Sequence, residues 1–133
     1  MKRYKTEDQS SKRLDRISEA YQKGISQILH DQIRDPRLEG VFVTNVVITP
    51  DLRLAKVYFD MRGGALRADE AIRGFEKSKG FLKRELANVV RIKYMPDLKF
   101  YYDESLDVQR KIDELFEKIE SEEESTDEES QEN

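Results

Sequence analysis

The sequence predicts an α+β two-layer sandwich, a small three-stranded sheet with helices packed on one face. Three observations point there. An amphipathic stripe opens the chain, two β-branched runs flank a Pro-Asp turn, and a second amphipathic segment precedes a short alternating run. The expected order is helix, strand, strand, helix, kink, helix, strand, helix.

The first helix is expected from about Ser11 to Arg34. Leu14, Ile17, Tyr21, Ile25, Ile28 and Leu29 recur at helical spacing, with Lys12, Arg13, Arg16 and Lys23 outside the stripe. Ser10 or Ser11 can cap its start. Asp35-Pro36 stops it, because the residue before proline disfavours helical angles. Val41 to Thr49 is rich in β-branched residues, and Ala55, Val57 and Phe59 alternate in the next run. Pro50-Asp51 reads as a tight turn, so the two runs pair as an antiparallel hairpin. Beyond Arg62-Gly63-Gly64 a helical segment opens, with Ile72, Phe75, Leu82, Leu86 and Val89 on its apolar face. Ser78-Lys79-Gly80 interrupts it. Glycine inside a helix costs about 1 kcal/mol relative to alanine, and a kinked helix pair is expected at that point. Pro96 precedes an alternating strand from Leu98 to Asp103, and Val108, Ile112, Leu115, Phe116 and Ile119 mark a short C-terminal helix.

The formal net charge is −4, from 24 bases and 28 acids. Eight of the acids fall in Glu120–Asn133, which has no apolar and no basic side chain. Without them 20 acids face 24 bases, so residues 1–119 carry a net +4. The expected layout is a flexible segment over 1–10, a basic folded domain over 11–119 and a disordered acidic tail over 120–133. The absence of cysteine excludes disulfides and thiolate metal sites. No apolar stretch reaches membrane-spanning length and the first residues lack the apolar core of a signal peptide, so a cytoplasmic protein is expected.

Arg73 to Lys93 holds seven Lys or Arg against two Glu. A helix starting inside that run would offer free N–H groups to a phosphate. The candidate RNA-binding residues are therefore Lys77, Ser78, Lys79, Gly80, Lys83 and Arg84. Arg91 and Lys93 join them at the helix end, where cations also complement the helix dipole. Lys12, Arg13 and Arg16 form a secondary basic strip, in which Arg16 is placed to cover core surface with its aliphatic stem. A solvated helix face explains most charge runs, but the local excess of one sign favours RNA. His30 is the only histidine and has no nucleophile patterned around it, while Asp51, Asp60 and Asp103 fall at turns or strand ends. No catalytic residue, metal, cofactor or small-molecule substrate is assigned. Without a long heptad seam, a monomer is expected.

The αββ-ααβ order with a small-residue interruption resembles the type II KH fold, whose GXXG loop clamps a nucleic-acid backbone. No GXXG occurs here. Four strings carry a narrower resemblance: DPRL at Asp35–Leu38, VTNVVITPDLRLAKVYF at Val43–Phe59, KSKGFLKREL at Lys77–Leu86, and MPDLKFYYDESLD at Met95–Asp107. In this order and spacing they are similar to the ribosome-binding factor A family over nearly all of residues 10–119. In that family an Ala-x-Gly kink replaces GXXG, and it aligns with Ser78-Lys79-Gly80, serine standing for alanine. The resemblance implies a non-enzymatic factor that binds the immature 30S ribosomal subunit and contacts 16S ribosomal RNA. It also implies a role in late folding and processing of that RNA, including during growth in the cold. The alternatives are a general KH-type RNA binder and a protein-interaction module that adds a partner strand to the sheet edge.

Overall fold

The computed structural model describes the backbone of residues 2–132 and the side chains of residues 12–124. Its elements are α1 (Lys2–Asp31), β1 (Val41–Ile48), β2 (Leu54–Met61), α2 (Ala68–Val89), β3 (Asp97–Tyr102) and α3 (Ser105–Glu132). The chain divides into two units, Met1–Asp103 and Glu104–Asn133, where the sequence predicts one domain over 11–119.

The first unit is the expected α+β layer pair. β1 and β2 are antiparallel, β3 runs parallel to β2, and β2 is the central strand. Strand periodicity sends Val43, Val46 and Ile48 of β1, Ala55, Val57 and Phe59 of β2, and Leu98 and Phe100 of β3 to the helices, and all are buried. A bulge at Thr44 re-aims β1 without leaving that residue unpaired. Its hydroxyl donates to Asp103 Oδ2 at 2.6 Å, and its carbonyl accepts from Gln22 Nε2 at 3.2 Å. The opposite sheet face carries exposed Phe42 and Val47 and a stacked pair, Tyr58 and Tyr101, with ring centroids 5.5 Å apart.

α1 buries Tyr21, Ile25 and Ile28, as its stripe requires. Burial pushes the Tyr21 phenol up to about 12, and its hydroxyl donates to Met95 Sδ at 2.9 Å. The helix starts at Lys2, within the segment 1–10 expected to be flexible, and no glycine or proline precedes Gly24 to break it. Met1, the first residue of that expected segment, lies outside the described residues. The helix stops at Asp31, and Asp35 then caps a 3-10 turn, Pro36–Leu38. Leu38 packs against α2 at Gly74, where an added Cβ would lie 3.0 Å from Leu38 Cγ and 3.2 Å from Arg37 Cβ.

Arg37 clasps Asp35 through two guanidinium nitrogens, with Nη2 2.7 Å from Oδ2 and Nε 3.0 Å from Oδ1. These bonds hold the Asp35 carboxyl down to about 2. That lies below the value of about 3.9 expected in the unfolded chain. The clasp therefore stabilises the fold fully above about pH 4 and loses its contribution as pH falls from about 4 to about 2. Urea midpoints of the wild type should drop more across that window than those of Asp35→Asn. Parallel acid limbs would rule the clasp out as a source of acid sensitivity.

In place of the expected kinked pair, α2 is one continuous helix through Ser78-Lys79-Gly80, with no second helix start and no free N–H groups there. Phe75, Leu82 and Leu86 are all fully buried on either side of the interruption. Burying each such side chain is worth about 1.5–3 kcal/mol, which outweighs the cost of about 1 kcal/mol for one glycine. The face ends on buried Val90 rather than Val89, which is 64% exposed.

The second unit is α3. The stripe Val108, Ile112, Leu115, Phe116 and Ile119 lies on it as expected, and the helix runs to Glu132, through the segment expected as an acidic tail. Gly and Pro are absent from the segment, and Glu and Gln are good helix formers. Asn133, the last residue of that tail, lies outside the described residues.

Candidate nucleic-acid interface

The cations of α2 divide into two sets. Lys79 and Lys83 turn toward β3. Lys83 Nζ lies 2.6 Å from Asp97 Oδ1, and Lys79 Nζ lies 3.0 Å from Glu76 Oε2 and 3.9 Å from Asp97 Oδ1. The bond from Lys83 holds the Asp97 carboxyl below the usual carboxylate range, with Lys79 adding to the effect. These two lysines are thus engaged with carboxylates that tie α2 to the start of β3. The sequence pattern puts them at a kink facing phosphate; the register of β3 gives them other partners.

The second set faces outward. Arg73, Lys77, Gly80 and Arg84 follow one another at i+4, i+3 and i+4, so they share one face of the helix. All four are exposed, and the three cations form no ion pair among the described residues. The row extends about 16 Å along the axis. At Gly80 an added Cβ would meet nothing within 4 Å. The notch is open, and internal packing does not ask for glycine there. Ser78, expected at the start of a second helix, is half-buried inside the continuous one. Arg73 lies outside the kink-centred candidates, although its place four residues before Lys77 is a readable signal.

Arg91 and Lys93 follow the end of α2, and both are exposed. The secondary strip is also exposed at Lys12, Arg13 and Arg16. Arg13 lines the same depression as Arg91 and Lys93, together with Arg53 from the β1–β2 turn. Arg53 is not legible as a site residue in the sequence, because its neighbours come from segments far away along the chain.

A family profile described as ribosome-binding factor A matches residues 13–116. The chain belongs to the ribosome-binding factor A family. A ribosome-binding factor A from Desulfosudis oleivorans is 39% identical over 110 residues, covering 83% of this chain and 85% of that protein. One from Macrococcus caseolyticus is 41% identical over 105 residues, covering 79% and 92% respectively. The crystal structure of ribosome-binding factor A from Thermus thermophilus superposes with a TM-score of 0.61 at 21% identity, covering 67% of this chain and 93% of that one. A Thermus thermophilus homology model fitted into the cryo-EM map of a 30S complex gives 0.53 at 23% identity, covering 63% and 88%. Members of the ribosome-binding factor A family thus share this fold.

Proposed function

We propose that this chain binds the immature 30S ribosomal subunit and contacts 16S ribosomal RNA through the outward face of α2. The observation that carries this reading is the exposed row Arg73, Lys77, Gly80 and Arg84, three cations outside any ion pair among the described residues, around a notch that packing does not require. The partner is supported by family membership and by the Thermus thermophilus relative fitted into a 30S complex.

On this reading the cations displace counterions condensed on the RNA, so affinity falls steeply with salt. Phosphate contacts position the protein, and the folded shape of the immature RNA supplies the selectivity. Binding one RNA arrangement more tightly than another shifts folding toward it. That is how a cytoplasmic, monomeric, non-enzymatic factor assists late 30S maturation and 16S RNA processing, including in the cold. Lys79 and Lys83 act indirectly by holding α2 on the sheet.

The test is co-sedimentation with small ribosomal subunits across a potassium chloride series, using the wild type and Gly80→Ala. The wild type should pellet with subunits at low salt and be released as salt rises. The alanine variant should melt at a higher temperature, because alanine favours the helix by about 1 kcal/mol. It should nonetheless bind about tenfold more weakly, a loss of about 1.4 kcal/mol, because its methyl group fills the notch. A stabilised variant that pellets like the wild type would remove Gly80 from the interface. Failure of the wild type to pellet at any salt would remove the ribosomal partner.

A further inference from the structure

Away from the α2 row, a cavity of about 550 Å³ lies between α1, the β1–β2 turn and the segment after α2. Its size falls within the roughly 300–1,000 Å³ usual for small-ligand sites. Three features set it apart from an ordinary surface dip.

Its cations are not locked into ion pairs. Arg13, Arg53, Arg91 and Lys93 line it, and none forms an ion pair among the described residues. The carboxylate that shares the lining, Asp51, is committed to the turn: it accepts from Thr49 Oγ1 at 2.7 Å and from the Arg53 N–H at 3.1 Å. Those bonds keep its carboxyl below the usual range.

The cavity also presents an aromatic ring. Tyr94 is 73% exposed, too open to be a core residue. Lys93 Nζ lies 5.5 Å from its ring centroid, a cation–π contact of the solvent-exposed and therefore weak kind. Base stacking on an aromatic ring is stronger than such a contact, so a base can take that face or use the other one.

Finally, the floor is apolar and strained. Ile17, Leu52 and Ile92 line it, and Leu52 holds φ +61, a left-handed conformation rare for leucine. Backbone strain of this kind persists where surrounding packing imposes it, and it concentrates at ligand sites.

We propose that this cavity takes one unpaired nucleotide of single-stranded RNA, its base on the Tyr94 ring and its flanking phosphates on Arg13, Arg53 and Arg91. An aromatic platform ringed by cations is the combination single-strand binders use, and a base inside a duplex cannot reach such a platform. The proposal rests on the RNA-binding reading and adds a second contact to it, one that distinguishes unpaired from paired RNA.

The experiment is fluorescence anisotropy of the full chain with a labelled single-stranded 12-mer RNA and with the same RNA annealed to its complement, each over a salt series. Tyr94→Ala should weaken single-strand binding about tenfold without altering the salt slope, and Tyr94→Phe should restore it. Duplex binding should be the same in all three proteins. Arg91→Ala should weaken single-strand binding and lower the salt slope by about 0.7, one phosphate contact on a single strand. If Tyr94→Ala binds the single strand like the wild type, or loses single strand and duplex equally, the nucleotide site is wrong while RNA binding itself stands. If the wild type binds neither RNA nor small subunits, the RNA-binding reading has failed, and the pocket with it.

Discussion

Reversing Arg73, Lys77 and Arg84 to glutamate is expected to abolish pelleting with small ribosomal subunits while leaving the circular-dichroism melt nearly unchanged. Each of these side chains is exposed and outside any ion pair among the described residues, and the one internal interaction at stake is the long-range pull of Lys77 on the Asp35 carboxylate, which the Arg37 clasp outweighs. Substitutions of that kind usually change stability by no more than about 0.5 kcal/mol each. Binding loses far more. A hydrogen bond to a charged group contributes about 1.5–3 kcal/mol, so three together account for roughly a thousandfold in affinity or more, before repulsion of the new carboxylates is counted. Lys79 and Lys83 are unsuitable for this test. A glutamate at either position would face Glu76 or Asp97 across the α2–β3 contact and unsettle the fold itself. Subunit binding that survives the outward reversal would transfer the main site to Lys12, Arg13 and Arg16 on α1.

The largest loss of stability should come from Phe75→Ala. Phe75 is fully buried. Its ring stacks on Phe100 of β3 at 4.4 Å, with 8° between the planes, and tilts against Phe59 of β2 at 5.1 Å. Removing it leaves a cavity where α2, β2 and β3 meet. Truncations of this type cost about 3–5 kcal/mol, a large share of the roughly 5–15 kcal/mol that holds a domain together. At about 4–8 °C per kcal/mol for a domain of this size, the melting temperature should fall by roughly 12–40 °C. A fall of only a few degrees would mean that the three elements close over the gap and that the aromatic cluster is not the keystone of the sheet–helix contact.

Legibility in the sequence follows the range of the interaction. The α1 stripe, the hairpin and the Asp35–Arg37 turn all depend on residues a few positions apart, and their periodicities and side chains announce them. The continuity of α2 does not follow from local propensity. The glycine penalty is visible in the sequence, but the burial of Phe75, Leu82 and Leu86 that overrides it depends on what the sheet presents. The cation row is legible as an excess of one sign, yet its division is not. Lys83 is matched to Asp97 by the placement of β3 beside β2, with Leu54 paired to Asp97, and nothing near Lys83 in sequence foretells that. Tyr94 and Arg53 illustrate the same limit. Each is unremarkable in its own segment, and they acquire a shared environment only when the turn, α1 and the post-helix segment converge.

The division of the chain into two units also divides its charge. Met1–Asp103 holds 21 bases and 15 acids, a net +6, while Glu104–Asn133 holds 3 bases and 13 acids, a net −10. The modest total of −4 conceals two strongly and oppositely charged bodies on one backbone. Toward a polyanion the two units respond oppositely, Met1–Asp103 being attracted and Glu104–Asn133 repelled. An ion-exchange column would meet the same ambivalence, for neither a cationic nor an anionic resin would see the average.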